Sequence, residues 1–306
     1  MFDIYFLSGK ISSLEKKFID YEKLKKLIES KTIEEFLDLL EGTFFKIPKS
    51  ISHPDEIINY FEEERKKLIE EIDNLFEEYL KIFFLLKYDY FNLACLIENR
   101  EFFSHYGTVN FYILKEAIEK RDFSKIPSYL INAFEVLKLK KEIGEKLLLL
   151  KIDYYKNFYK ISENISPLIR DYAKIEIDFA NIYTYFNKKI SGEAVKIEDL
   201  IENGNIKKEF FLEESNLFKN LTSIYKKISL PLSEENIEIE KHKIIVDFIK
   251  IGRIKPDSIE KILFFYIARE IEIENVQRLC LSKFYKLDYE ILKKISIIPY
   301  QYKWKV

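Results

Sequence analysis

Apolar positions recur with helical period almost from end to end of the 306-residue chain. From Phe61 to Arg100 the first half is mostly polar, with apolar positions at Phe61, Leu68, Ile72, Leu75 and Phe76, and the second half is apolar nearly all round. That pattern predicts an exposed amphipathic helix feeding a buried one. Breakers at Pro48, Pro54, Gly107, Pro127, Pro167, Gly192, Gly204, Pro231 and Pro256 punctuate the helices. Only Lys243–Val246, with its β-branched run, offers a competing strand, and it is too isolated to change the class. The expected fold class is all-α.

Three of the predicted helices carry the same motif: an acid, two residues, Asn, then Leu, Ile or Val. The copies are Asp89 with Asn92, Asp178 with Asn181, and Glu272 with Asn275. Nine residues before each Asn stands an aromatic (Phe83, Tyr172, Tyr266), and eight after it a cation (Arg100, Lys189, Lys283). A second landmark lies upstream, where Thr32-Ile33, Asp122-Phe123 and Asn216-Leu217 each read as an N-cap opening a helix. From the apolar member of that pair to the Asn is 59, 58 and 58 residues. Constant spacing between two landmarks marks a repeat. A third landmark is glycine, a polar residue and a β-branched one: Gly9-Lys10-Ile11, Gly107-Thr108-Val109 and Gly204-Asn205-Ile206. Its spacing to the second varies, so it marks unit boundaries only. The repeat divides the chain into helical units at 1–106, 107–203 and 204–306. Units this long exceed solenoid repeats and predict a small closed or funnel-like array with pseudo-threefold symmetry.

Composition narrows the function. Lys, Glu and Leu are abundant and there are only 7 Gly and 7 Pro, as long helices with short connections require. Fifty basic residues against 52 acidic ones are mixed along the chain, leaving a net charge of -2, which argues against a nucleic-acid partner. Cys95 and Cys280 fall inside apolar patterns and read as reduced core residues of a cytoplasmic protein. The longest apolar runs, Ile82–Leu86 and Leu147–Leu150, are far shorter than the roughly 20 residues of a membrane span. No secretory leader is read at the start. A soluble protein follows, free to dock on a membrane complex.

Candidate chemistry is sparse. No phosphate-cradling glycine loop occurs, so nucleotide chemistry and other small-molecule substrates are not expected, and no cofactor or metal is predicted. His53, His105 and His242 lack metal-ligand spacing and are each read as surface residues. The acid and Asn of the motif share a helical face and could form an acid-base or metal site. Threefold repetition favours the other reading, in which they satisfy polar groups where a buried helix meets its neighbours. Among all-α enzymes the isoprenoid type would show DDxxD, which is absent. The tail Ile297–Val306, with Tyr300, Tyr302, Trp304, Lys303 and Lys305, is expected to fold back over the last helix.

Several segments resemble one family: Tyr5–Ile19, IEEFLDLLEGTFF at Ile33–Phe45, LLKYDYFNLACLIENR at Leu85–Arg100, RDYAKIEIDFANIYTYFNKK at Arg170–Lys189 and YIAREIEIENVQRL at Tyr266–Leu279. In order and spacing they are similar to the C subunit of the prokaryotic V-type/A-type rotary ATPase (ATP synthase), the counterpart of the eukaryotic d subunit, over essentially the whole chain. The resemblance implies an all-helical funnel of three similar domains and a non-catalytic role. It places the protein on the cytoplasmic face of the membrane, peripheral through protein contacts, between the rotor shaft subunits and the membrane proteolipid ring. Arg100, Lys189 and Lys283, equivalent in the three units, are the candidate partner-contact rim. A soluble helical scaffold for other proteins is the alternative, and an all-α enzyme a third.

Overall fold

The computed structural model describes residues 3–233, 236–288 and 292, and the aromatic tail lies outside them. Among the described residues there are twelve α-helices, linked by loops and short 3₁₀ turns, and no strand. They are α1 (Ile4–Leu14), α2 (Tyr21–Glu29), α3 (Ile33–Leu39), α4 (Pro54–Leu75), α5 (Glu78–Ile97), α6 (Phe111–Lys120), α7 (Ile131–Lys138), α8 (Ile143–Ile165), α9 (Pro167–Ile190), α10 (Glu214–Ile224), α11 (Ile237–Arg253) and α12 (Ile259–Phe284).

By packing the chain forms two compact units, one from Met1–Glu71 with Ser229–Val306 and the other from Ile72–Ile228. In the first, α12 packs against α1, α3 and α11. Its apolar residues are buried on every side, from Ile262 to Cys280, and the rings of Phe18, Phe44 and Phe265 meet edge to face beside it. In the second, α8 lies against both α5 and α9. Phe83 stacks on Phe158 with centroids 5.2 Å apart, and Ile177, Ala180 and Ile201 form a buried cluster covered by Ile152, Tyr155 and Tyr159.

Local rules set most boundaries. The Ser166 hydroxyl accepts from Ile169 N at 3.2 Å and Pro167 opens α9, where its missing N–H costs no bond. Lys188 and Lys189 occupy the last turn, facing the negative end of the helix dipole. The polar-then-apolar stretch from Phe61 divides at Phe76-Glu77 into α4 and α5, with Phe61, Leu68, Ile72 and Phe76 buried. Lys243–Val246 lies within α11, because its neighbours keep helical period and Ile244, Ile245 and Val246 are buried.

Three expectations are corrected. Asp122 opens no helix; its carboxylate accepts from Ser124 N at 3.0 Å in a turn. Asn216 is inside α10 rather than before it, and Glu213 holds the N-cap position. Of the three presumed caps only Thr32 caps a helix, accepting from Glu35 N at 3.2 Å. His242 is buried rather than exposed, with Nε2 3.1 Å from Glu238 and 3.7 Å from Glu274. It lies on an α11 face that packs inward, where the surrounding Glu and Lys residues had suggested solvent.

Candidate functional site

The acid and the Asn of each motif stand one helical turn apart, so one face of the helix carries both. All six side chains are buried, and a buried polar group must find partners. On α5 the partners belong to the loop that follows. The Asn92 carboxamide pairs with the backbone of Ser104 in both directions, accepting from its N–H at 2.7 Å and donating to its carbonyl at 3.0 Å. Asp89 Oδ1 accepts from Val109 N at 3.0 Å, and Oδ2 from the Thr108 hydroxyl at 2.5 Å. The Tyr129 hydroxyl is bonded in turn to that of Thr108.

On α9 the same construction recurs. Asn181 accepts from Ile201 N at 2.7 Å and donates to Ile201 O at 2.9 Å. Asp178 accepts from Ile206 N and Asn205 N, both at 3.0 Å, and from the Tyr225 hydroxyl. Asn205 Nδ2 donates to Tyr225 Oη at 3.0 Å. Gly107 and Gly204 are required by this geometry. A Cβ built on either would collide with Oδ1 of the clamping Asp. The glycine that precedes each loop anchor is therefore a contact surface for the carboxylate.

On α12 the acid is longer by one methylene and reaches backwards in sequence. Glu272 Oε1 accepts from Ile19 N at 2.8 Å, and Oε2 from Arg269 Nη1 at 2.8 Å. The Arg269 guanidinium also lies over the Phe44 ring, 3.7 Å from its centroid, and 5.3 Å from that of Phe45. Asn275 Nδ2 donates to Ile271 O at 2.7 Å within its own helix. The N–H groups held by the three acids are thus those of Val109, Ile206 and Ile19. Gly9-Lys10-Ile11, the expected first copy of the third landmark, lies within α1, with open space around Gly9. The positional counterpart of Gly107-Thr108-Val109 is Lys17-Phe18-Ile19. In that register the anchor-to-Asn separations are 73, 72 and 69 residues, from Ile19, Val109 and Ile206 to Asn92, Asn181 and Asn275.

Burial dominates the electrostatics. It raises the carboxyls of Asp89 and Asp178 to about 6, against the hydrogen bonds that favour their charged forms. Glu272 is raised to about 7, burial outweighing the attraction of Arg269, whose own pKa burial lowers. The Tyr129 hydroxyl, also desolvated, is pushed up to about 12, and that of Tyr225 well above its ordinary value. The clamp hydroxyls therefore keep their protons as donors.

The three cations differ. Arg100 is exposed, with Nε 2.7 Å from Glu98 and its guanidinium 5.3 Å from the Phe102 centroid. Lys189 is half-exposed and bonded to Glu214 at 2.6 Å. Lys283 is partly buried and donates to Ile28 O at 2.5 Å and Ser30 O at 2.6 Å, at the C-terminal end of α2. Burial lowers its pKa. Among the described residues no group of His, Cys, Asp and Glu has the geometry to hold a metal, and no helix is long and apolar enough to cross a membrane.

Sequence reasoning missed Arg269, Tyr129, Tyr225 and Ile19. The tyrosines had a signal, standing 22 and 21 residues after Gly107 and Gly204. Ile19 had none, because a donated backbone N–H leaves no mark on residue type.

A search of curated proteins finds no match. A family model described as ATP synthase (C/AC39) subunit matches residues 7–295, a range that holds all three motif helices and their anchors. The chain belongs to the ATP synthase (C/AC39) subunit family, that of the V/A-type ATPases.

Proposed function

We propose that the chain is a non-catalytic central-stalk subunit, a socket that couples the rotor shaft to the membrane proteolipid ring during ion transport and ATP synthesis or hydrolysis. Its repeat units at 1–106, 107–203 and 204–306 then close into a funnel with pseudo-threefold symmetry, peripheral on the cytoplasmic face of the membrane. The observation that carries this reading is the order of the clamps. The first motif helix holds the loop that opens the second unit, at Val109. The second holds the loop that opens the third, at Ile206. The third holds the first, at Ile19. A linear array would leave the last acid without a successor.

Torque transmission needs a body that passes strain on without deforming, and close-packed helices do so because their interiors are barely compressible. The motif acids are committed to such packing: each carboxylate is occupied by donors from its own chain, which favours a mechanical role over acid-base chemistry. In this reading Arg100 and Lys189 offer surface charge to a partner. Lys283, equivalent in sequence, contributes chiefly by binding the end of α2.

Gentle detergent extraction of native membranes, followed by affinity capture of this chain, tests the proposal. The proteolipid, shaft and catalytic subunits should be recovered in fixed ratio with it. Recovery of the chain alone, or with soluble proteins only, would refute the adaptor role.

A further inference from the structure

The connection between α9 and α10 holds the chain's one Asn-Gly pair, Asn203-Gly204. It lies in a bend between two gripped segments. On one side Asn181 holds the backbone of Ile201, and on the other the N–H groups of Asn205 and Ile206 donate to Asp178. Asn203 is exposed, and its backbone is in the left-handed region at φ 69°, which Asn tolerates better than most residues. Among the described residues neither the Asn203 carboxamide nor the Gly204 N–H makes a hydrogen bond.

These features together make the amide reactive. The nitrogen of the residue that follows an Asn is its nearest internal nucleophile, because attack on Cγ closes a cyclic imide of low strain. Glycine has no Cβ to hinder that approach and the widest backbone freedom. A helix or sheet would hold the attacking N–H in a hydrogen bond, and this bend does not. The other clamps lack the chemistry. Gly107, the equivalent glycine of the first, follows Tyr106, and Ile19, the anchor of the third, follows Phe18.

We propose that Asn203 is a site of spontaneous deamidation and isoaspartate formation, and that the isoaspartate releases the second clamp. The Gly204 nitrogen gives up its proton and attacks Asn203 Cγ. A C–N bond forms, the Cγ–Nδ2 bond breaks, and ammonia leaves, taking the proton through solvent. Water then opens the imide. Opening at Cγ leaves aspartate at position 203; opening at the backbone carbonyl leaves isoaspartate, whose main chain runs through the former side chain and is longer by one methylene. Water is the sole co-reactant. The added length displaces Gly204, which lies so close to Asp178 that a Cβ would collide with Oδ1. The N–H groups of Asn205 and Ile206 are thereby drawn off the buried carboxylate. No partner is involved, so the inference stands apart from the adaptor reading.

Ageing the full chain in warm, mildly alkaline buffer beside a synthetic peptide of residues 197–211 tests this. Peptide mapping should find aspartate and isoaspartate at position 203 in both, at similar rates, with every other Asn of the folded chain reacting far more slowly. Isoaspartyl O-methyltransferase with labelled S-adenosylmethionine should mark the aged chain. In that isoaspartyl fraction, hydrogen exchange of the Asn205 and Ile206 amides should rise by about tenfold, as loss of a buried hydrogen bond implies. Asn203→Gly suits the left-handed backbone and carries no amide, so it should keep slow exchange after the same treatment. Asn203 left intact in the folded chain while the peptide reacts would overturn the site. Unchanged exchange at Ile206 in the modified chain would overturn its effect on the clamp.

Discussion

At the scale of single residues, three buried acids are placed against backbone N–H groups rather than against water. Each would leave a buried donor unpaired if removed, at a cost of about 1–3 kcal/mol per group. The glycines beside two of them are equally constrained. Gly204→Ala forces a methyl group into the Asp178 carboxylate, and overpacking of this kind costs about 1–3 kcal/mol. Urea denaturation should show that loss, whereas Gly9→Ala, made in open space within α1, should raise stability slightly through helix propensity.

The same acids predict a pH dependence. Asp178 has a folded pKa of about 6 against an ordinary 3.8, so the native state binds a proton that the unfolded chain has released. The associated stability is fully present below about pH 4 and is lost as pH rises through 6. Asp89 behaves alike, and for Glu272 the loss extends through about 7. Between pH 4 and 6 each such acid contributes a downward slope of about 1.4 kcal/mol per pH unit. Unfolding free energies measured across that range should show a less steep fall for Asp178→Asn than for wild type. A slope unchanged by the substitution would mean that the carboxylate is ionised throughout.

At the scale of elements, the Asn of each of the first two motifs behaves as a staple between a helix and the loop that follows it. Asn92 holds Ser104, 12 residues on, and Asn181 holds Ile201, 20 residues on. Such a bond gives the loop little burial but fixes its course. Asn92→Ala should accelerate hydrogen exchange of the amides from Phe102 to Val109, by about tenfold or more for a lost contact of about 1.4 kcal/mol. Protection within α5 should be retained, since its apolar residues from Leu80 to Cys95 are buried independently of the staple. Asn181→Ala should act in the same way on the amides around Ile201.

At the scale of the whole molecule, the unit that contains both ends of the described chain depends on contacts across the full sequence. Glu272 to Ile19 and Lys283 to Ile28 join residues 253 and 255 positions apart. The other unit is continuous from Ile72 to Ile228, and its helices α5, α8 and α9 share a core of their own. A fragment of residues 72–228 should therefore melt cooperatively with high helicity, and a fragment of residues 1–71 should remain unfolded until residues 229–288 are supplied. Circular dichroism of the separate and mixed fragments checks both outcomes.

What was legible in the sequence was what helical periodicity and local chemistry control: an all-α chain, the break between a polar-faced α4 and a buried α5, and the motif on α5, α9 and α12. Periodicity is local, and 3.6 residues per turn is enough to reveal it. Even so, two of the three supposed N-caps, Asp122 and Asn216, were misplaced, because a capping residue is indistinguishable from any polar residue in a turn or first helical turn until the backbone is seen. The burial of His242 and the pairing of Arg269 with Glu272 were likewise decided by which helix face meets which neighbour.

By itself the sequence determined the helices and the three copies of the acid and Asn that they carry. Only the tertiary structure decided what those copies hold. Their backbone partners are N–H and carbonyl groups as near as 4 residues away, at Ile271, and as far as 253, at Ile19, and every residue type but proline carries the same N–H. That is why Gly9 looked like the first anchor and Ile19, whose N–H Glu272 accepts, did not.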